Sequence, residues 1–404
     1  MQNDWRMPRR TVLGGLVGAL GLGLAGRTAG AAGAPIRVGG TLSLTGPLAQ
    51  TAHVCKIVSE IYVEDLNKRG GLLGRPVEYV LLDDQSKPDV TRSLYEKLIT
   101  VDKVDLIMGP YGTSSILAAM GVAQRYSKLI IQSSMGIPKL ATYELQFPAT
   151  PFGPQPDKDF PKMVFDALDT TPHPPKTVSI LTSKFPSAQV WTQGAKAEAE
   201  RRGLKVSLYL EYEFGNRDFG AIAARVKDAN ADFLWVGVLG LEGIQLMEAM
   251  KKLDYTPPRQ FNLFPAPGPF VNSPDMNHAL AFTVFEEQPP FTSRPGIAKF
   301  VEVYNDRAAK AGITYPHVDN QASGPYSSWQ ILEAAVTATN SLDDKVMGAW
   351  LKHNAVETID GKLTFDGPFN HGPQHMAVKQ IQDGKFVVVW PKELTAPGAK
   401  LIGP

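Results

Sequence analysis

The sequence carries a single cysteine, Cys55, in 404 residues. One thiol cannot form an internal disulfide, so the fold has to be held by its apolar core, which a chain of this length can build. A surplus of one charge is also missing. The 41 Lys and Arg face 40 Asp and Glu, and no arginine-aromatic cluster interrupts the balance, which argues against a nucleic-acid partner. Catalytic signatures are equally scarce: there is no G-x-S-x-G elbow and no P-loop, so a serine hydrolase would have nothing to carry its nucleophile. A membrane span is poorly supported too, because the apolar run that ends at Leu24 is short and rich in glycine.

That run nevertheless has a use. Arg9-Arg10-Thr11-Val12-Leu13 leads into it, and small Ala-Gly-Ala sequences follow, the pattern of a twin-arginine-type signal peptide over residues 1–31. Cleavage after Ala31 is preferred to cleavage after Ala34, which would leave Pro35 behind the cut. An uncleaved anchor is the alternative, and no cysteine stands at the cleavage site to take a lipid. Setting aside four arginines and one aspartate in this segment turns the formal charge from +1 to -2. Gly21-Leu22-Gly23-Leu24-Ala25-Gly26 matches a dinucleotide fingerprint, but no strand precedes it and no acid follows at the right distance.

A hydrophobic content of 43% with 20% charged residues describes a globular chain, and the length predicts two domains. From Ile36 strands and helices alternate. Strand 36–44 is followed by a helix with Val54, Ile57, Val58, Ile61 and Tyr62 on one face, stopped by Gly70-Gly71; strand 77–82 and a helix over 88–101 come next. The stretch Val104 to Pro138 reads as strand, loop, helix, strand. Its helix opens at Thr113, Ser114 and Ser115, on the carboxyl edge of a parallel sheet, where free N-H groups can hold an anion.

A proline-rich break at 147–156 marks a change of domain, and the alternation restarts. Strands are expected at 177–182, 205–214, 232–239 and 260–264, with helices at 187–202, 219–229 and 241–253. Pro265, Pro267, Pro269 and Pro274 read as an extended connection, 281–286 as a returning strand, and 294–311, 326–340 and 343–353 as helices. Residues 376–390 alternate around Asp383-Gly384 as a hairpin. The fold class is α/β: two doubly wound parallel-sheet lobes, the first from 36–150 plus 283–342, the second from 151–282 plus 343–404.

Leu42-Ser43-Leu44-Thr45-Gly46-Pro47, then Asn67-Lys68-Arg69-Gly70-Gly71-Leu72-Leu73-Gly74-Arg75-Pro76-Val77, Asp83-Asp84, Gly109-Pro110 with Thr113-Ser114-Ser115, Asp218-Phe219 and Asp232-Phe233 follow one another over residues 36–240. In this order and spacing the set resembles the periplasmic solute-binding proteins of the branched-chain amino acid and amide ABC transporter family, leucine-binding-protein-like and of type I fold. The resemblance implies lobes joined by three crossovers and hinge closure on a small-molecule ligand. It further implies delivery to the permease subunits of an ABC transporter, a periplasmic monomer, no enzymatic activity and no cofactor or metal.

Carried over by position, the resemblance puts the ligand-binding residues at Tyr111, Thr113, Ser114, Met135 and Gly136 in the first lobe. In the second it implies Phe185, Ser187, Leu239 and Phe264. Thr113 falls where the family binds a carboxylate. Met135 and Gly136 replace a loop that holds a Thr in amino-acid binders, and the acid that would pair with an ammonium, expected near 264–266, is missing. A buried ammonium without that partner keeps its desolvation penalty, so an apolar or aromatic carboxylate is favoured over a branched-chain or related amino acid. Glu242 or Glu286 could supply an acid from another direction.

Other features have plainer readings. Asp83-Asp84 could serve acid-base chemistry but suits a turn at a strand end. His371 and His375 have a zinc-like spacing, yet Gly372-Pro373 between them breaks a shared helix face. Trp191, Trp329 and Trp350 fit core packing. A ligand-sensing receptor domain is the remaining alternative on the same fold, and it would add a span or signalling domain; an exported enzyme would need a nucleophile and base that these residues do not present.

Overall fold

The computed structural model describes residues 33–265 and 267–403. The expected signal segment, and Ala266 at the end of the stretch searched for an acid, lie outside them. The chain runs through β1 (Ile36–Leu42), α1 (Ala49–Lys68), β2 (Val77–Asp83), α2 (Pro88–Thr100), β3 (Leu106–Met108), α3 (Thr113–Arg125), β4 (Ile130–Gln132) and β5 (Gln146–Pro148). These strands form a parallel sheet in the order β2-β1-β3-β4-β5. Next come α4 (Pro156–Asp169), β6 (Thr177–Ser183), α5 (Pro186–Arg201), β7 (Lys205–Tyr212), α6 (Gly220–Ala229), β8 (Phe233–Gly240), α7 (Glu242–Lys251), β9 (Gln260–Pro265), α8 (Pro267–Val271) and β10 (Leu280–Thr283).

The chain then returns to the first lobe for α9 (Ile297–Lys310), α10 (Asn320–Thr339), α11 (Asp344–Leu351) and the small hairpin β11 (Val356–Thr358) and β12 (Gly361–Leu363). It finishes on the second with β13 (Ala377–Gln382) and β14 (Lys385–Trp390). The second sheet has the order β14-β13-β10-β9-β8-β6-β7. Its central strands are parallel and the final hairpin adds antiparallel to one edge. That hairpin turns at Asp383 and Gly384, both at positive φ, as a two-residue turn requires. Three passes between the lobes result.

Strands covered on both faces are apolar throughout, and β8, Phe-Leu-Trp-Val-Gly-Val-Leu-Gly, is buried along nearly its whole length. Three expectations need correction. The return to the second lobe expected at 343 comes later: α11 and its hairpin place Met347, Leu351, Val356, Leu363 and Phe365 in the first lobe's core, and Met376 is the first residue back in the second. The proline connection after β9 includes the short α8, because Pro267 sits at its first position, where a missing N-H is tolerated. And α10 begins at Asn320, not 326, because Pro325 lies inside the helix.

Pro325 has no N-H for the carbonyl of Gln321, four residues earlier. The Cys55 thiol points to that carbonyl instead, at 3.9 Å, and burial pushes its pKa up to about 12, leaving an inert group. Asp319 caps α10 by accepting from the Gln321 N-H. The Asp83-Asp84 pair follows the turn reading: buried Asp84 accepts from Thr41 Oγ1 at 2.8 Å and Ser43 Oγ at 2.6 Å, tying the ends of β1 and β2 together.

Beneath the crossovers lies a buried ion cluster. Lys379 Nζ on β13 donates to Glu286 Oε1 at 2.6 Å, stands 3.9 Å from Asp319 Oδ2, and lies 3.8 Å over the Phe386 ring. Two carboxyl groups thus share one ammonium, and burial pushes Glu286 up to about 7 and Asp319 upward as well.

Candidate functional site between the lobes

The carboxyl ends of β3, β4 and β5 in the first lobe and of β6, β8 and β9 in the second lead to the loops that line a cavity between the lobes. β3 is an apolar strand followed by Gly109-Pro110, and Gly112, at φ 89°, turns the chain sharply into α3. That conformation suits glycine alone without strain. α3 has no side-chain cap and no acid in its first turn, so the partial positive charge of its start, at the cavity-lining Gly112 and Thr113, is not offset by its own side chains. The same holds for α5 in the second lobe, which starts at Pro186-Ser187 with neither cap bond nor acid.

These two helix starts meet at Gly136. A methyl group built there would fall 2.5 Å from Ser187 Cβ and 3.6 Å from Thr113 Oγ1. The Gly136 N-H donates to Thr113 Oγ1 at 3.2 Å, so the threonine hydroxyl has its own proton free for a ligand. Likewise the Gly112 N-H donates to Ser134 Oγ at 2.8 Å. The Gly136 carbonyl accepts from Trp191 Nε1 across the lobe boundary at 2.6 Å.

Of the residues singled out from the sequence, Tyr111, Thr113 and Gly136 line the cavity from the first lobe, and Phe185, Ser187, Leu239 and Phe264 from the second. Two do not. Met135 is buried in the first lobe's apolar core, because its N-H is held by Gln132 Oε1 at 3.0 Å and the side chain turns inward. Ser114 is absent from the lining, since one helical position beyond Thr113 rotates a side chain by roughly 100°.

Sequence reasoning missed Ser133, Ser134, Thr150, Phe152, Asn320, Gln321 and Pro325, all in the lining. The two serines follow β4 at the same sheet edge as Thr113, a signal that was present. Thr150 and Phe152 follow β5, a strand of three residues too short to show a period. Asn320 and Gln321 were hidden by reading Pro325 as a helix boundary.

Among the described residues, none of those lining this cavity is Asp, Glu, Lys, Arg or His. Glu242, itself buried, lines an adjoining cleft that shares Tyr111 and Leu239 with this inner cavity. It is already engaged by the Gly215 N-H at 2.9 Å, and burial pushes it up to about 7. Glu286 belongs to the ion cluster with Lys379. His371 and His375 occupy the irregular segment after residues 368–370, and burial pushes His371 down to about 3. No group of three metal-ligating side chains occurs among the described residues, and no described helix is long and apolar enough to cross a membrane.

Residues 35–385 match the family described as periplasmic binding protein. A leucine-, isoleucine-, valine-, threonine- and alanine-binding protein of Pseudomonas aeruginosa is 26% identical over 200 residues, 48% of this chain and 51% of the relative, so that match spans about half of the relative's length. Among solved structures, a solute-binding protein of an ABC transporter from R. palustris in complex with benzoate superimposes with a TM-score of 0.75 at 17% identity, covering 92% of this chain and 99% of that one. A branched-chain amino acid transporter substrate-binding protein from Streptococcus pneumoniae, in complex with isoleucine, gives a TM-score of 0.74 at 17% identity, covering 88% and 100%. At these identities the two structures speak for the fold.

Proposed function

The chain belongs to the periplasmic binding protein family, and from that premise we propose that it is the solute-binding component of an ABC uptake transporter whose ligand is an apolar or aromatic carboxylate. The observation that carries the ligand class is the meeting of two uncapped, acid-free helix starts, α3 and α5, at a cavity lined by no charged side chain. A carboxylate there would take N-H groups from both lobes and the Thr113 hydroxyl, and Ser187 could add its own. Tyr111, Phe152, Phe185, Leu239 and Phe264 provide apolar surface for the rest of the ligand. Contacts from both lobes would favour the closed form, with hinge motion confined to the three crossovers. In this reading the lobes comprise 36–150 with 283–365, and 151–282 with 376–403.

An ammonium group would enter the same cavity without a carboxylate to pair with, which disfavours an amino acid. The branched-chain amino acid reading is supported by the ligands in the names of the P. aeruginosa and S. pneumoniae proteins; the benzoate complex supports the aromatic acid. Thermal unfolding of the mature protein with benzoate, 3,4-dihydroxybenzoate, leucine and isoleucine separates them. A ligand at a hundred times its Kd adds about 2.7 kcal/mol of stability. The aromatic acids are expected to raise the melting temperature and the amino acids to leave it unchanged. The reverse result would overturn the ligand class, and no shift with any solute together with turnover of an ester would overturn the solute-binding reading.

The export route belongs to the same proposal. Replacing Arg9 and Arg10 by lysine is expected to hold the protein in the cytoplasm; unchanged recovery from the periplasmic fraction would remove the twin-arginine route.

A further inference from the structure

Trp191 stands on α5 in the second lobe, fully buried, and its indole N-H is spent on the first lobe, at the Gly136 carbonyl. The Gly136 N-H is spent on Thr113. One residue therefore links the hydroxyl that faces the ligand to the second lobe, through both of its backbone polar groups. The Trp191 ring also backs two cavity walls, with ring centroids 5.5 Å from Phe152 and 5.4 Å from Phe264. Nearby, the Ser133 carbonyl is taken by Thr150 Oγ1. Two carbonyls beside the cavity, those of Gly136 and Ser133, thus each accept a bond from the protein, while the Thr113 hydroxyl keeps its own proton to donate.

We propose that Trp191 is a positioning residue with two effects: its indole N-H latches the lobes together, and by donating to the Gly136 carbonyl it competes with a ligand ammonium for the acceptor beside Thr113. The site is thereby biased toward ligands that bring an anion without a cation. A buried indole N-H is disfavoured without an acceptor, so the bond at Gly136 adds to whatever the ligand contributes to closure. The charge bias rests on the solute-binding reading; the latch does not.

Two measurements on the whole chain test these effects separately. In protein labelled with 15N at tryptophan, the Trp191 indole signal is identified by its loss in Trp191→Phe, and its exchange with solvent is compared between wild type and Gly136→Ala. The added methyl would collide with Ser187 Cβ at 2.5 Å and hold the lobes apart. Exchange is expected to be at least about tenfold faster in Gly136→Ala, the equivalent of one lost hydrogen bond; an unchanged rate overturns the latch.

Calorimetry with benzoate and L-leucine then compares wild type with Trp191→Phe, which keeps an aromatic ring and removes only the donor. The benzoate Kd is expected to rise about tenfold, while leucine, which leaves wild type unshifted, is expected to bind Trp191→Phe detectably. An equal change for both, or no change for either, overturns the charge bias. Wild-type protein that binds neither ligand overturns the bias together with the solute-binding reading, and the exchange measurement still decides the latch.

Discussion

The cavity between the lobes and the ion cluster beneath the crossovers are both buried and both polar, but they meet their hydrogen-bonding needs differently. In the cluster, Lys379 pairs with Glu286, Thr283 Oγ1 adds a bond to Glu286 at 2.9 Å, and Asp319 Oδ2 stands 3.9 Å from the same ammonium with no hydrogen-bond partner. In the cavity there is no charge to neutralise, and the first-turn N-H groups of α3 and α5 have no side-chain cap. Buried charges paired with one another hold a fold, whereas uncapped helix starts at an uncharged cavity suit an anionic ligand. The contrast also separates residues of similar appearance, because Glu286 resembles a ligand acid in the sequence and is a structural ion in the fold.

Removing the ammonium from the cluster should have the largest effect. Lys379→Met leaves two buried carboxyl groups without a counterion and is expected to cost roughly 3–5 kcal/mol of stability in urea unfolding at pH 7. Adding Glu286→Gln should recover most of that loss. If the single variant lost less than about 1 kcal/mol, the buried Lys379–Glu286 pair would not be the structural ion pair described.

At the cavity the effect should fall on binding. Thr113→Ala is expected to weaken the carboxylate ligand by about 1–3 kcal/mol through one lost bond to a charged group, and Thr113→Ser to keep most of the affinity. Calorimetric titration with the ligand found by thermal shift reads both variants. Unchanged affinity in Thr113→Ala would place the carboxylate elsewhere and erase the difference between the two regions.

The smallest expected effect concerns His371, whose Nε2 is buried without a hydrogen-bond partner. Burial holds its pKa near 3 against an ordinary 6.5, so the folded state excludes a proton that the unfolded chain accepts. Its contribution is therefore intact above pH 6.5 and lost as the pH falls toward 3. Between pH 7 and pH 5.5 this amounts to about 1 kcal/mol, and His371→Gln should remove that slope. Glu242, Asp360 and Glu286, each pushed up to about 7 by burial, act in the opposite direction. Their proton uptake favours the folded state as the pH falls from 7 toward the ordinary carboxyl range. The variant and wild type must accordingly be compared at each pH, and parallel curves would show that His371 carries no part of the acid response.

Much of this was legible in residues 36–264. The helical stripe from Val54 to Tyr62, the apolar run of β8 and the Asp383-Gly384 turn each state their structure locally, and the set of family-like residues oriented them. Seven of the nine candidate site residues line one cavity because they follow parallel strands, whose carboxyl ends share an edge. Met135 and Ser114 fall outside that lining for a local reason, side-chain direction, that a positional carry-over does not resolve. The later helices were harder: Pro325 looks like a helix start, and α11 gives no local sign of which sheet it covers.

By itself the sequence determined the α/β alternation, the two lobes and the position of an anion-friendly helix start at Thr113, because apolar period, glycine and proline act over a few residues. Only the tertiary structure decided that Ser187 faces Thr113 across Gly136, that Trp191 closes on the same glycine, and that Glu242 and Glu286 stand outside the inner cavity. Those relations join residues 50 or more positions apart, and they depend on how two rigid lobes meet, a geometry set by the packing of both cores and recorded in no single stretch of chain.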